Sequence, residues 1–216
     1  MKTTATTDRK ERPILFSGPM VNAILEGRKT QTRRIVSDRH YKYASVCPYG
    51  QIGDRLWVRE TWADVSTESG PAILYKALGA ENTSRYHFCS EDAYPVEYER
   101  YPTCKFTMWC GDLLRGEPGH AWRPSIFMPR NLSRITLEIT DVRVERLQDI
   151  TEEDARAEGF ECGTTWQAIP GEEHRSEPAE EYSATDSMQQ LWDKINGKRA
   201  SWDSNPYVWV ITFKRL

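Results

Sequence analysis

No stretch of this chain approaches the about 20 consecutive apolar residues of a membrane-spanning helix, and no hydrophobic leader core follows its start. These absences argue against a helical membrane protein, and the expected location is the cytoplasm. Cysteine is sparse and odd in number: the five residues Cys47, Cys89, Cys104, Cys110 and Cys162 lack the density of a secreted disulfide scaffold. Free thiols are therefore expected. His87, Cys89, Cys104 and Cys110 form the one group with metal-ligand chemistry. Its wide spacing departs from the close cysteine pairs usual for zinc, so neither metal nor cofactor is expected. Hydrophobic residues reach only 38%, low for a globular domain, which implies irregular segments. Internal repeats are absent. A net charge of -3 and a pI near 5.9 leave no general positive excess for a long nucleic-acid track.

Against this background one basic segment stands out. Gly27-Arg28-Lys29-Thr30-Gln31-Thr32-Arg33-Arg34 gathers cations and hydroxyls directly after an apolar helical pattern. Such a local site suits an anionic or nucleotide-like ligand. The eight tryptophans and ten tyrosines supply flat apolar surface, either for the core or for stacking on bases.

The length suits one core carrying a large insertion. Residues 1–11 read as a disordered tail and 12–216 as a single domain, with insertions at about 63–121 and 161–183. Ile14 to Ser17 suggests a strand, and Pro19 to Ile24 a two-turn helix stopped by Gly27. Arg55 to Trp62 alternates as a strand. From Ala63 to Ala121 the periodicity fades, with Ala72 to Tyr75 as a short strand candidate. Arg134 to Thr140 alternates clearly, and Val142 and Val144 continue on the opposite parity, which predicts a bulge or corner near Asp141. Thr151 to Gly159 reads as a capped helix with Asp154 three residues after the cap. Ala184 to Ile195 reads as an amphipathic helix around Met188, Leu191, Trp192 and Ile195, and Tyr207 to Phe213 as a buried closing strand. The expected class is α+β, a small curled sheet with short flanking helices and a large irregular insertion.

The spacing of Gly27, Lys29, Thr30, Thr32 and Arg34 resembles the signature of the ASCH domain family, whose members share the β-barrel of PUA-like RNA-binding domains. The preceding helix, Gly53-Asp54 before a strand, the helix from Thr151 to Glu158 and the final strand fall in matching places. The likeness covers residues 12–62, 122–160 and 184–216. Arg12 to Ser17, Trp122 to Ile126 and Met128 to Arg130 resemble an enlarged subgroup found in bacteriophages and prophages. Members of that subgroup often carry histidine where this chain has Phe127. The resemblance implies a PUA-like barrel, and the host cytoplasm if the chain is phage-encoded.

Some ASCH proteins are similar to amidohydrolases that remove an acyl group from the exocyclic amine of cytidine. Carried over, their functional lysine, threonine and glutamate fall on Lys29, Thr32 and Glu158. A neutral lysine can take the proton of a threonine hydroxyl, and a glutamate can deliver one to the departing amine. Arg28, Arg33 and Arg34 supply the cations that favour a neutral lysine, and Arg34 can stabilise an oxyanion. Residues three apart in a strand face opposite sides, so this scheme requires irregular backbone from Arg28 to Gln31. Arg28, Arg34, Trp57, Glu60, Trp122, Arg123, Ser125 and Arg130 are the candidate substrate-binding residues, with Trp57, Trp62 and Trp122 as stacking surfaces. The expected partner is a nucleoside, nucleotide or short single-stranded nucleic acid. Two other readings stay open: a non-catalytic RNA or single-stranded DNA binding module, and a phage accessory interaction protein. No paired histidines or carboxylate cluster supports a nuclease.

Overall fold

The computed structural model describes residues 9–37, 46–68, 70–78, 93–95, 104–105, 107–168 and 176–216. β1 (Glu11–Leu15) leads into α1 (Gly18–Leu25) and β2 (Gln31–Ile35). β3 (Arg55–Arg59), β4 (Trp62–Thr67) and β5 (Gly70–Tyr75) follow, then the short β6 (Ala93–Pro95) and β7 (Met108–Trp109). α2 (Cys110–Arg115) precedes the long β8 (Thr136–Arg146) and α3 (Glu152–Ala157). β9 (Gly163–Ala168), β10 (Ser176–Tyr182), α4 (Ala184–Asn196) and β11 (Tyr207–Arg215) complete the order. The class is α+β, sheets with few short helices, and among the described residues no strand order closes on itself. No described helix is long and apolar enough to cross a membrane.

The chain divides into two compact units. Met1–Leu25, Arg55–Leu137 and Arg215–Leu216 make the first, and Glu26–Asp54 with Glu138–Lys214 the second.

In the first unit β1 runs parallel to β3, with Ile14 opposite Val58 and both buried. Glu11 and Arg12, at the edge of the expected tail and core, already belong to β1 through this pairing. The strand expected from Arg55 to Trp62 is two strands, broken at Glu60 and Thr61. The break has a polar cause: the Glu60 carboxylate is buried against Arg134, and its N–H donates to the Met128 sulfur at 3.3 Å.

The segment expected to be an irregular insertion contains sheet and the helix α2 where it is described. β4 pairs antiparallel with β5, in a four-stranded order β6-β5-β4-β7. Alternate sides bury different cores: Ala63, Val65, Ala72 and Leu74 meet Cys110 and Leu113, while Trp62, Ile73 and Tyr75 meet Cys104, Met128 and Leu132. Small residues and threonine weaken the alternation in Trp62–Thr67, which hides this strand from a sequence reading. His87 and Cys89 lie outside the described residues. Cys104 and Cys110 are buried in separate apolar clusters, and no described group of three or more His, Cys, Asp or Glu can hold a metal ion.

The second unit is built on the order β8-β11-β2, continuing from Glu138. β11 pairs antiparallel with β2, matching Val208 with Ile35, Val210 with Arg33 and Ile211 with Thr32. Val208 and Val210 face a core of Leu147, Ala155, Ala184, Met188, Trp192 and Trp202, against which Ile35 also packs. α3 begins at the N-cap Thr151, whose hydroxyl accepts the Asp154 N–H at 3.1 Å. α4 opens with a reciprocal box between Ser183 and Asp186. Its buried stripe is Ala184, Met188 and Trp192; Ile195, expected to join it, is exposed because the helix ends at Asn196, where the packed face has run out. The acidic segment expected as an insertion contains the antiparallel hairpin of β9 and β10.

β8 runs past the corner expected at Asp141 as one strand to Arg146. Val142 and Val144 do not start a second buried face, and Val144 is exposed. The face that carries Leu137 and Ile139 continues as Arg143 and Glu145, which bond each other at 3.0 Å. The apparent change of parity is thus a change of chemistry, from apolar to charged, on one unchanged face.

Candidate functional site

α1 ends at Leu25, and Gly27 takes the left-handed conformation, φ +79°. The residues Arg28 to Thr30 have no regular structure, and β2 begins at Gln31, one residue earlier than expected. Thr30 still donates its N–H to the Ala157 carbonyl at 2.8 Å, which ties the segment to the end of α3. That tie brings Lys29 to Glu158.

Lys29 is among the most buried side chains, at 2% exposure. Its Nζ donates to Glu158 Oε2 at 2.6 Å, to the Glu158 carbonyl at 2.8 Å and to the Gln31 carbonyl at 2.7 Å. Glu158 sits at the C-cap of α3 and is buried as well. Burial pushes the Lys29 amine below its ordinary 10.5; Glu158 opposes this, and Arg34 and Arg33 add to the depression. Glycine at 159, φ +92°, ends the turn after the carboxylate.

Beneath this pair lies a second ionic layer. The Arg33 side chain is wholly buried, with Nη1 donating to Gln31 Oε1 at 2.6 Å and to Glu158 Oε1 at 3.5 Å. Its Nη2 donates to Glu145 Oε1 at 2.6 Å and Asp154 Oδ2 at 3.1 Å. Arg143 closes the layer through Glu145, Asp141 and Asp154. Burial raises the Asp154 carboxyl, but Arg33, Gln31 and Arg143 together outweigh it and hold the group below its ordinary 3.8. Charges removed from water at this depth persist only when each has such partners.

Of the carried-over catalytic residues, Lys29 and Glu158 are in contact. Thr32 is buried, but it occupies the other face of β2. Gln31 and Arg33 point toward α3, as their mutual bond and the Val210 register show, so Thr32, between them, points away. Arg34 shares the Thr32 side, half-buried, its Nη1 donating to the Arg33 carbonyl at 3.5 Å. Arg28 is exposed and held by Glu26, Glu161 and the Gly159 carbonyl.

The other candidates belong to the first unit. Trp57 is buried, with the Arg59 guanidinium 4.7 Å and that of Arg130 6.0 Å from its ring centre. Glu60 receives both Nε and Nη2 of Arg134 at 2.8 Å, and Arg134 stacks over Tyr75 at 4.3 Å. Arg123 donates to the buried Asp64 at 2.6 Å and lies over Trp62, a buried ring. Trp122 is half-buried against the cluster of Ala63 and Cys110, with Lys76 at 6.0 Å. Ser125 opens the 3-10 turn Ser125–Phe127, and exposed Arg130 is paired with Glu11 at 2.9 Å. Phe127 is 72% exposed.

Sequence reasoning missed Gln31, Glu145 and Asp154 and gave Arg33 only a diffuse role. The signal was present. Asp154 and Glu158 are four apart on one helical face, and Arg143 and Glu145 fall on the covered parity of β8. Comparison with protein-family models, curated proteins and solved structures finds no match for this chain.

Proposed function

We propose that this chain is a cytoplasmic ASCH-type, PUA-like protein that holds a nucleobase or nucleoside and hydrolyses an acyl amide on a cytidine-type exocyclic amine. The observation that carries this reading is the buried contact of the Lys29 amine with the Glu158 carboxylate, 2.6 Å. A lysine with a depressed proton affinity beside a carboxylate forms a proton-transfer pair. In its neutral state Lys29 takes a proton from water as the water oxygen bonds to the acyl carbon. The pair then returns that proton to the exocyclic nitrogen as the carbon–nitrogen bond breaks, releasing a carboxylic acid and the free cytidine amine. Thr32 lies on the reverse of β2, so water rather than its hydroxyl is the nucleophile.

The test is purified protein with an acylated cytidine, beside Lys29→Met, Glu158→Gln and Thr32→Ala. Turnover lost in the first two and retained in the third supports the scheme. Abolition by Thr32→Ala with the fold intact reassigns the nucleophile to that hydroxyl.

A second reading is a non-catalytic binding module for RNA or single-stranded DNA. One feature favours it: the three acceptors around Lys29 Nζ match the three donors of an ammonium, which would make the residue a pin between β2 and α3. Wild-type protein that turns over no acylated cytidine but binds oligonucleotides in a salt-sensitive way selects this module.

A further inference from the structure

We propose that Arg33 is a positioning residue, holding the Glu158 carboxylate in register with the Lys29 amine. This deepens the hydrolase reading above, although its structural basis does not depend on the substrate. Arg33 lies outside the Gly27-Lys29-Thr30-Thr32-Arg34 pattern, and its assignment comes from where its guanidinium sits.

The two terminal nitrogens of Arg33 have unequal tasks. Nη2 is fixed from behind by Glu145 of β8 and Asp154 of α3, at 2.6 and 3.1 Å. Nη1 is fixed by Gln31 at 2.6 Å and faces Glu158 Oε1 at 3.5 Å. A planar fork held at three points can move little, so its remaining edge forms a fixed wall behind Glu158. Among the described residues, the close charged partner of Glu158 Oε2 is Lys29, at 2.6 Å. A loose contact at Oε1 and a tight one at Oε2 keep the carboxylate oriented while leaving its main exchange with the lysine. Closer approach by Arg33 would bind Glu158 as an ordinary two-pronged ion pair and draw it away from Lys29.

Among the described residues, charged groups face the pair from α3, β2 and β8. Glu158 faces Lys29 from the end of α3, Arg33 and Arg34 belong to β2, and Asp154 and Glu145 stand behind Arg33 from α3 and β8. Arg143 holds Glu145 and Asp154 in turn. Arg33 also adds its positive charge to the environment of Lys29 and so favours the neutral amine.

Two full-length variants test the assignment, Arg33→Lys and Arg33→Gln. A lysine at this position keeps charge but cannot span Gln31, Glu145, Asp154 and Glu158 at once; a glutamine removes the charge. Nitrogen-15 NMR of lysine-labelled protein follows the Lys29 amine through its titration in each. Under this assignment the midpoint falls in Arg33→Lys, which keeps the charge but loosens Glu158 from Lys29, and lies higher in Arg33→Gln than in Arg33→Lys, because the lost charge there acts in the opposite direction. With acylated cytidine, kcat falls by about 10- to 100-fold in both variants while KM stays near the wild-type value. An unchanged or raised Lys29 midpoint in folded Arg33→Lys overturns the proposal, and so does a wild-type kcat. Should Arg33→Gln not fold, Arg33→Lys decides alone. If wild-type protein has no hydrolytic activity, the hydrolase reading fails and the NMR midpoint still decides the role of Arg33.

Discussion

Deleting one charge of a buried ion pair leaves the other without compensation, and this fixes the expected cost at Lys29. Lys29→Met leaves the Glu158 carboxylate, at 4% exposure, with the longer Arg33 contact at 3.5 Å, and Glu158→Gln leaves the ammonium, at 2%, without its carboxylate. Each single change is expected to cost about 3–5 kcal/mol. The double variant removes both charges and is expected to cost clearly less than the sum, read from urea unfolding midpoints. Additive costs would show that the two groups do not depend on each other. The two ends of this pair were singled out in the sequence, and the structure places them in contact. The ionic layer beneath was not, since Arg33, Glu145 and Asp154 look like ordinary exposed charges until β2, β8 and α3 are brought together. Thr32 failed for a simpler reason: the regular strand begins at Gln31, and alternation then carries the hydroxyl to the far face.

At the scale of elements, the caps give the sharpest expectations. Gly27 has φ +79° and open space where a Cβ would stand, so Gly27→Ala meets backbone strain and no clash. The expected loss is about 1–2 kcal/mol, with Gly27→Asn losing less, because asparagine tolerates the left-handed region. Glu152 links two helices: it lies in the first turn of α3, and its oxygens accept the N–H of Ala184 at 2.9 Å and of Thr185 at 3.2 Å at the start of α4. Those backbone bonds, Ala184 first, hold the Glu152 carboxyl below its ordinary 4.5 despite the opposing effect of desolvation. A depressed acid contributes stability that is full above the unfolded value and is lost as pH falls through the lower folded value. Acid unfolding of wild type followed by helical circular dichroism should therefore include a component below pH 4.5 that Glu152→Gln lacks. Superimposable acid limbs in the two proteins would refute it. α1, α3 and α4 announced themselves in the sequence through Gly27, Thr151 and the Met188–Trp192 spacing, because caps and periodicity are local, whereas α2, inside the segment read as irregular, did not. Strands were read well only where one face is apolar. β4 was lost among alanine, serine and threonine, β9 among threonine and glutamine, β10 among glutamates, and β8 seemed to turn a corner where Arg143 and Glu145 replaced aliphatic residues.

At the scale of the whole molecule, the question is where the positive charge goes. A chain of net charge -3 binds a polyanion strongly only if it keeps an unpaired basic stripe. Many of the described arginines are already taken by carboxylates. In the second unit Arg33 is surrounded by carboxylates, Arg143 joins three of them, and Arg28 is shared between Glu26 and Glu161. In the first unit Arg134 is taken by Glu60, Arg123 by Asp64 and Arg130 by Glu11. Phosphates approaching these arginines would have to displace partners already in place, and the gain from released counterions would be correspondingly small. A ligand of nucleoside size, recognised by shape and hydrogen bonds, fits that charge distribution better than a long strand. Titrations with a nucleoside, a mononucleotide and an oligonucleotide over 50 to 200 mM salt should then give similar affinities and a shallow slope, about two ions or fewer. A steep slope, with affinity growing along the oligonucleotide, would mean that the internal ion pairs open to receive phosphates, and the molecule would have to be read as a nucleic-acid binder instead.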